Sequence, residues 1–540
     1  MNMSQAVSKM LKGSGVKFMF GIPGGGSSAD LINTSEDEGI PFILTQHETA
    51  AAIMAGVVGD VTGVPGVCVS TLGPGALNLC NGLAQAFLDR SPVVAFTDRY
   101  GSELVDLAYR QKIVHGDLFK PFTKLSVGLT KTNWSEMLAR GFRVANMPRK
   151  GSVHIDFPND LSQSAVSGSA NAVGPEEFWP EVNEKHLKSG LERIRRAKRP
   201  VLIVGLGITA AKAEVYGHLR RFVERFHIPT FKTAKVKGSL PDNHTWSLGV
   251  FMGGNLEQPL IEKSDLLIVI GLDPVELLPK KWSYRQPIVY MDMVPNTEET
   301  YHADIELVGE IGSTLQRLND EGVDGESDWQ SEEISAYREN TKESLVFKVD
   351  GLSALQVIRT ARELTPEEAL LTIDVGANKL LVIELWDAYM PGSFFMSNGL
   401  ATMGYALPAA LALQLLHPDR KVVSLCGDGG FMMRLPELAT AMRYRLPIVI
   451  VVFSDGRLSL IDVKELKKGY PVPRGTDFTR PNYCDLGRSF GIPTWSADTD
   501  EELRGALIAA FNSNDGLPKL IEARIDPSCY PQQFDAVREL

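Results

Sequence analysis

The chain has 540 residues, 44% of them hydrophobic and 22% charged, with a formal net charge of −11. It is too long for one hydrophobic core, so about two to four domains are expected, and the composition is globular rather than disordered or membrane-embedded. The acidic balance excludes a nucleic-acid binder, because holding phosphate needs a surplus of Lys and Arg.

The first stretch, MNMSQAVSKMLKGSG, places apolar residues at helical spacing with no continuous apolar run, so it reads as the first helix of a domain. From Lys17 the short strand-like pieces KFMFGI, FILT, GVCVST, PVVAFT and SVHIDF alternate with Ala-rich helical pieces such as HETAAAIMAGVVGDVTG and LNLCNGLAQAFLD. Strand-helix alternation of this kind predicts a parallel α/β sheet, with a first domain over residues 1–165. Between Ser164 and Glu184 the chain turns to Ser, Ala, Gly, Pro and Glu, which predicts a linker.

A second α/β series, RPVLIVGLGITAAKAEV, SDLLIVIGLD and PIVYMDM, predicts a domain over 186–325, and the basic run Arg193 to Arg199, just before the strand-like VLIVG, reads as a solvated helix end. VGLG at Val204 to Gly207 follows a strand but is not a complete GxGxxG, so packing glycines are preferred over a nucleotide loop. The acidic stretch NDEGVDGESDWQSEEIS then reads as a second linker or an exposed helix.

The third series, LLTIDVG, KVVSLCGDGG, PIVIVVFSDG and PKLIEARID, predicts a domain over 350–540. Its run ALPAALALQLL is too short to span a bilayer. The five cysteines (Cys68, Cys80, Cys426, Cys484, Cys529) form no CxxC pair and read as buried thiols of a reducing compartment. A cytoplasmic protein with no membrane partner is expected. The first and third series share a strand-helix rhythm without recognisable identity.

Gly427-Asp428-Gly429-Gly430 directly follows the strand-like VVSLC. Glycines there free backbone N–H groups for an anion at the start of a helix, and Asp428 beside an anion calls for a hard divalent cation between them. The next strand, PIVIVVF, ends in Ser454-Asp455-Gly456, and a right-handed βαβ crossover sets that end beside Asp428. Two oxygen ligands would then share one ion. The alternative, a tight turn with Asp455 as a helix cap, stays open on these residues alone.

GDGGFMMRLPELATAMRYRLPIVIVVFSDG resembles the diphosphate-and-metal motif of thiamine-diphosphate-dependent enzymes, the group of acetolactate synthases, pyruvate oxidases and benzoylformate decarboxylases. FGIPGGG, QHETAAAIMAG, STLGPGALNLCNGLAQAF and NGLATMGYALPAA are similar to further segments of that family, so the resemblance covers essentially the whole chain. It implies three consecutive doubly wound parallel-sheet domains: pyrimidine-binding, central Rossmann-like and diphosphate-binding.

It also implies roles. Glu48 would bond the aminopyrimidine ring of thiamine diphosphate and serve as the catalytic acid. Met403 would wedge the cofactor into a bent shape, and the Ala401 carbonyl would accept from its amino group. Gly376, Ala377 and Asn378, with Gly427, Gly429 and Gly430, would hold the diphosphate. Asp428, Asp455 and the Arg457 backbone carbonyl would hold Mg2+. Cofactor ends bound by different domains, usually of different protomers, imply a homodimer or homotetramer.

Asp455 stands where many relatives carry Asn, as it does in the FAD-independent, catabolic acetolactate synthases, and RQKIVHGDLFKPFTKLSVGL also resembles that branch. After LLIVIG the chain reads LDPVELLPKKW where flavin-binding relatives have a run like ARFDDR, which points away from FAD. Thr97-Asp98-Arg99 replaces a common Thr-Gly-Gln. The candidate substrate neighbours are therefore Gly25, Arg99, Arg110 and Gln111, with the guanidinium groups suited to a carboxylate or equally to the surface.

The implied activity is decarboxylation of a 2-oxo acid followed by carboligation. The alternatives are a simple decarboxylase releasing an aldehyde and, more remotely, a non-catalytic cofactor-binding scaffold.

Overall fold

The computed structural model describes residues 1–166, 172–174, 179–321 and 327–538, so the expected linkers fall partly outside the described residues. Three six-stranded sheets follow one another, and every strand pairing is parallel. The first contains β1 (Met19–Gly21), β2 (Phe42–Leu44), β3 (Gly66–Ser70), β4 (Val93–Arg99), β5 (Leu125–Gly128) and β6 (Ser152–Pro158), in the order β2-β1-β3-β4-β6-β5. Its inner strands β3 and β6 are buried along their whole length, as strands covered by helices on both faces must be.

The central sheet contains β7 (Pro200–Val204), β8 (Thr230–Lys232), β9 (Ser247–Val250), β10 (Leu266–Ile270), β11 (Ile288–Asp292) and β12 (Ile305–Val308), in the order β12-β11-β10-β7-β8-β9. That is the Rossmann order, whose crevice opens between β7 and β10. Here the two loops pack directly on each other. A Cβ on Gly205 would lie 2.5 Å from the Leu272 Cα, and one on Gly207 would lie 2.7 Å from the Gly271 Cα. The Glu276 carboxylate accepts from the Leu206 amide at 2.7 Å. The VGLG glycines therefore serve loop-to-loop contact.

The third sheet contains β13 (Leu370–Ile373), β14 (Phe394–Met396), β15 (Val422–Gly427), β16 (Val449–Ser454), β17 (Thr494–Ala497) and β18 (Lys519–Arg524). Its order, β14-β13-β15-β16-β18-β17, repeats that of the first sheet position for position. The strand order reverses between β13 and β15, and open α/β sheets present a binding crevice at such a point, beyond the carboxyl ends of the strands.

The first and third units dock through two Ala-rich helices, Glu48–Thr62 and Ala406–Leu416, whose residues share one hydrophobic cluster. Ala51, Ala52 and Ala55 on one and Ala409, Ala410 and Ala412 on the other are fully buried. Small side chains let the helices approach closely, which explains why ALPAALALQLL is apolar all round. The central unit is tied to the first by the Arg90 guanidinium, which donates to both carboxylate oxygens of Asp273 at 2.7 and 3.1 Å. Among the described residues no helix is long and apolar enough to cross a membrane.

Candidate active site

β15 and β16 are parallel neighbours with Gly427 opposite Phe453, so the residues that follow each strand emerge side by side. Asp428 opens a helix there, and its Oδ2 accepts from the backbone amides of Asp455 at 3.1 Å and Gly456 at 2.7 Å. Asp455 accepts from the Ser459 hydroxyl at 2.5 Å and the Arg457 amide at 3.0 Å. It therefore shapes its own turn and also lines the same cavity as Asp428. The Arg457 guanidinium pairs with Asp462.

Burial, and then the neighbouring Asp455, pushes the Asp428 carboxyl up to about 7. Asp455 is raised as well, chiefly by burial. Two partly desolvated carboxylates at one wall favour a hard cation or a shared proton.

The cavity measures about 180 Å³. Its other walls come from the loop after β13 (Gly376, Ala377, Asn378), from Ala401 and Met403, and from Gly427, Gly429 and Gly430. The buried Asn378 Nδ2 has no hydrogen-bond partner. Ala401 adopts a left-handed backbone with φ of 54°, uncommon for a residue with a side chain. Several wall residues escaped the sequence reading, among them Phe453, Leu458 and Tyr530. Tyr530 arrives from the C-terminal helix Tyr530–Val537. Asp374, pushed up to about 6 by burial, accepts from the Gly404 amide at 2.8 Å and so fixes the loop that carries Met403.

Glu48 begins the helix Glu48–Thr62 and is 5% exposed. Its Oε2 accepts from Asn78 Nδ2 at 2.9 Å, and Gly75 packs so closely that a Cβ there would lie 3.1 Å from Oε1. Asn78 was not singled out from sequence, because nothing periodic links it to Glu48. Glu48 does not line the Asp428 cavity, all of whose walls come from Val375 onward.

Arg99 and Gln111 do come together, in a second cavity of about 340 Å³ that Leu72, His115 and Asp156 also line. Arg110 is brought to the surface instead, its carbonyl accepting from the Tyr100 hydroxyl at 2.8 Å. Gly25 is exposed and lines neither cavity. Asp98, beside Arg99, turns inward and accepts from Ser27 and Ser28, which holds the glycine loop rather than a substrate.

Residues 1–119, 187–318 and 374–523 match, in turn, the N-terminal TPP binding domain, the central domain and the C-terminal TPP binding domain of thiamine pyrophosphate enzymes. The chain is 30% identical to a probable acetolactate synthase large subunit of Methanocaldococcus jannaschii, over 97% of this chain and 92% of that protein. It is 29% identical to an acetolactate synthase of Bacillus subtilis, over 97% and 93%. It is 30% identical to a catabolic acetolactate synthase of Raoultella terrigena, over 94% and 92%.

Proposed function

The chain belongs to the thiamine pyrophosphate enzyme family, and on that footing we propose that it is an acetolactate synthase-like carboligase using Mg2+. It is a thiamine-diphosphate-dependent enzyme acting on 2-oxo acids, and when bound the cofactor supplies the electron sink for the carbon that loses carbon dioxide. The observation that carries the finer reading is the pairing of Asp428 and Asp455 at adjacent strand ends, on one cavity wall.

The residues present fit the group. The buried Asp428, the half-buried Asp455 and the Arg457 carbonyl would hold the cation. The Gly376–Asn378 loop, with its unpartnered Asn378 amide, and the Gly427–Gly430 turn would hold the diphosphate. Met403 and the Ala401 carbonyl would seat the rings. Glu48 would hold a proton at its carboxylate, oriented by Asn78, and Arg99 and Gln111 would meet the substrate. Because Glu48 lies outside the Asp428 cavity of its own chain, a second copy would complete each site, in a homodimer or homotetramer. A cytoplasmic location, without membrane or nucleic-acid partners, belongs to the same reading.

The test is a panel of 2-oxo acids with the purified chain, thiamine diphosphate and Mg2+, and products identified by mass. A condensed 2-hydroxy-3-oxo acid from pyruvate is expected. Aldehyde alone would favour the simple decarboxylase, and no consumption of any acid would overturn both.

A further inference from the structure

We propose that the cavity lined by Arg99 and His115 is where the carboxylate of a small 2-oxo acid binds, with His115 exchanging a proton with that acid's carbonyl oxygen. The inference rests on the proposed function and adds a residue to it.

A buried knot of side chains fixes His115. Thr97 on β4 lies opposite Asp156 on β6, and His115 begins the short helix His115–Phe119 above them. The Asp156 Oδ1 accepts from the Thr97 hydroxyl at 2.9 Å and lies 2.7 Å from His115 Nδ1. Thr97 Oγ1 also lies 2.8 Å from His154 Nε2, whose other nitrogen is 2.9 Å from the Ser126 hydroxyl. Donor and acceptor chemistry gives an arrangement that satisfies these contacts together. Having given its proton to Asp156, the Thr97 hydroxyl accepts from His154 Nε2–H, and His154 Nδ1 accepts from Ser126.

His154 is fully buried against the Phe119 ring, and burial pushes it down to about 3, so it stays neutral. Asp156 is held below the usual carboxylate range. Burial opposes ionisation there, and the hydrogen bonds from His115 and the Thr97 hydroxyl outweigh it. An ionised Asp156 takes the Nδ1–H of His115, which leaves Nε2 as the nitrogen available to a ligand. A carboxylate that fixes the tautomer and plane of a histidine is the arrangement that general acid-base chemistry uses. The Thr97 hydroxyl sits among the two imidazole nitrogens and the carboxylate, filling the position an ion would take.

The placement joins this knot to the candidate active site. Leu72 lines the cavity, and a Cβ on Gly73 would lie 2.8 Å from the Gln111 carbonyl. Gly75, two residues further along the same loop, packs on Glu48. One short loop therefore separates the Glu48 carboxylate from the cavity. No carboxylate among the described residues pairs with Arg99 at the cavity wall, so its guanidinium remains available to a carboxylate ligand. Gly24 to Gly26 carry no proton-exchanging side chain, whereas His115 carries one.

As the substrate's C=O π pair moves onto oxygen, the His115 Nε2–H bond breaks and an O–H bond forms. When the carbonyl is restored, the proton returns to Nε2. The titratable and charged groups around His115 are Asp156 and His154 from β6, Arg99 and Tyr100 from the end of β4, and Asp106 and Lys112 from the connecting loop.

The full chain, loaded with the unreactive analogue 3-deazathiamine diphosphate and Mg2+, is titrated with pyruvate calorimetrically in two buffers of different ionisation enthalpy. An arriving carboxylate favours protonated His115, so proton uptake is expected. Arg99→Gln weakens pyruvate binding by about tenfold or more, while His115→Gln keeps the affinity within about threefold and abolishes the uptake. Analogue binding by both variants, followed by Trp fluorescence, stays as in the parent. Equal affinity in Arg99→Gln, uptake retained in His115→Gln, or no pyruvate binding by the parent overturns the proposal. Turnover of the native holoenzyme on the 2-oxo acid panel reports separately on the proposed function.

Discussion

One oxygen of Asp428 receives the backbone amides of both Asp455 and Gly456, so the carboxylate that would bind a cation also clamps the next strand's loop to its own. Metal affinity and loop geometry are thereby coupled. With the Asp428 carboxyl raised from 3.8 to about 7, the cation-free protein carries a proton there over much of the acid range. Cation binding must displace it. Mg2+ affinity should therefore fall about tenfold per pH unit below about 7, with proton release that calorimetry can count. For stability the sign is opposite to that of a salt-bridged carboxylate. A raised folded-state value stabilises fully below about 4, and that contribution is lost as pH rises through about 7. The cation-free melting temperature should carry this declining component across that window, and saturating Mg2+ with cofactor should remove it.

Glu48→Gln keeps the shape and hydrogen-bonding reach of the side chain and removes its ability to exchange a proton. Turnover should fall by about two to four orders of magnitude, with the melting temperature unchanged. Asn78→Ala removes the donor to Oε2 and should lower turnover about tenfold, through loss of orientation rather than of the group itself. Unaltered turnover in Glu48→Gln would remove Glu48 from the catalytic machinery.

A Cβ at Gly430 would stand 2.5 Å from the Asp374 Oδ2, inside van der Waals contact. Gly430→Ala should displace Asp374, release the Gly404 amide and shift Met403. The expected result is a destabilisation of about 1–3 kcal/mol in denaturant titration, together with weaker cofactor binding.

Ala409→Leu inserts bulk between the two Ala-rich helices, where neither has room to withdraw. It should cost about 1–3 kcal/mol. Because residues of both units share this cluster, circular dichroism and Trp fluorescence should report the loss in one common transition.

The Asp428 and Asp455 pairing was legible in the sequence because one strand-helix-strand unit generates it, and such a unit has a fixed hand. The repeated strand order of the first and third sheets was not, since apolar runs mark where strands lie and not which strands adjoin. Asn78 beside Glu48 and Asp374 beside Gly404 are tertiary meetings that no helical or strand period encodes. Arg99 and Arg110 looked alike on paper. They separate because Arg99 ends a strand, whereas Arg110 belongs to an irregular loop whose course local propensity does not set. The His115 knot was hidden for a related reason: β4 pairs with β6, skipping a strand, so Thr97 and Asp156 meet across a long stretch of chain.

Glu48 and the Asp428 cavity stand apart within one chain, and on the proposed pairing each chain contributes half of two different sites. Chains carrying Glu48→Gln and chains carrying Asp428→Asn would each be inert alone. Mixed and reassembled, they would rescue one another, because a hybrid pair contains one site with both defects and one with neither. In a cell with both alleles, two recessive lesions in the same gene would then pass for lesions in different genes.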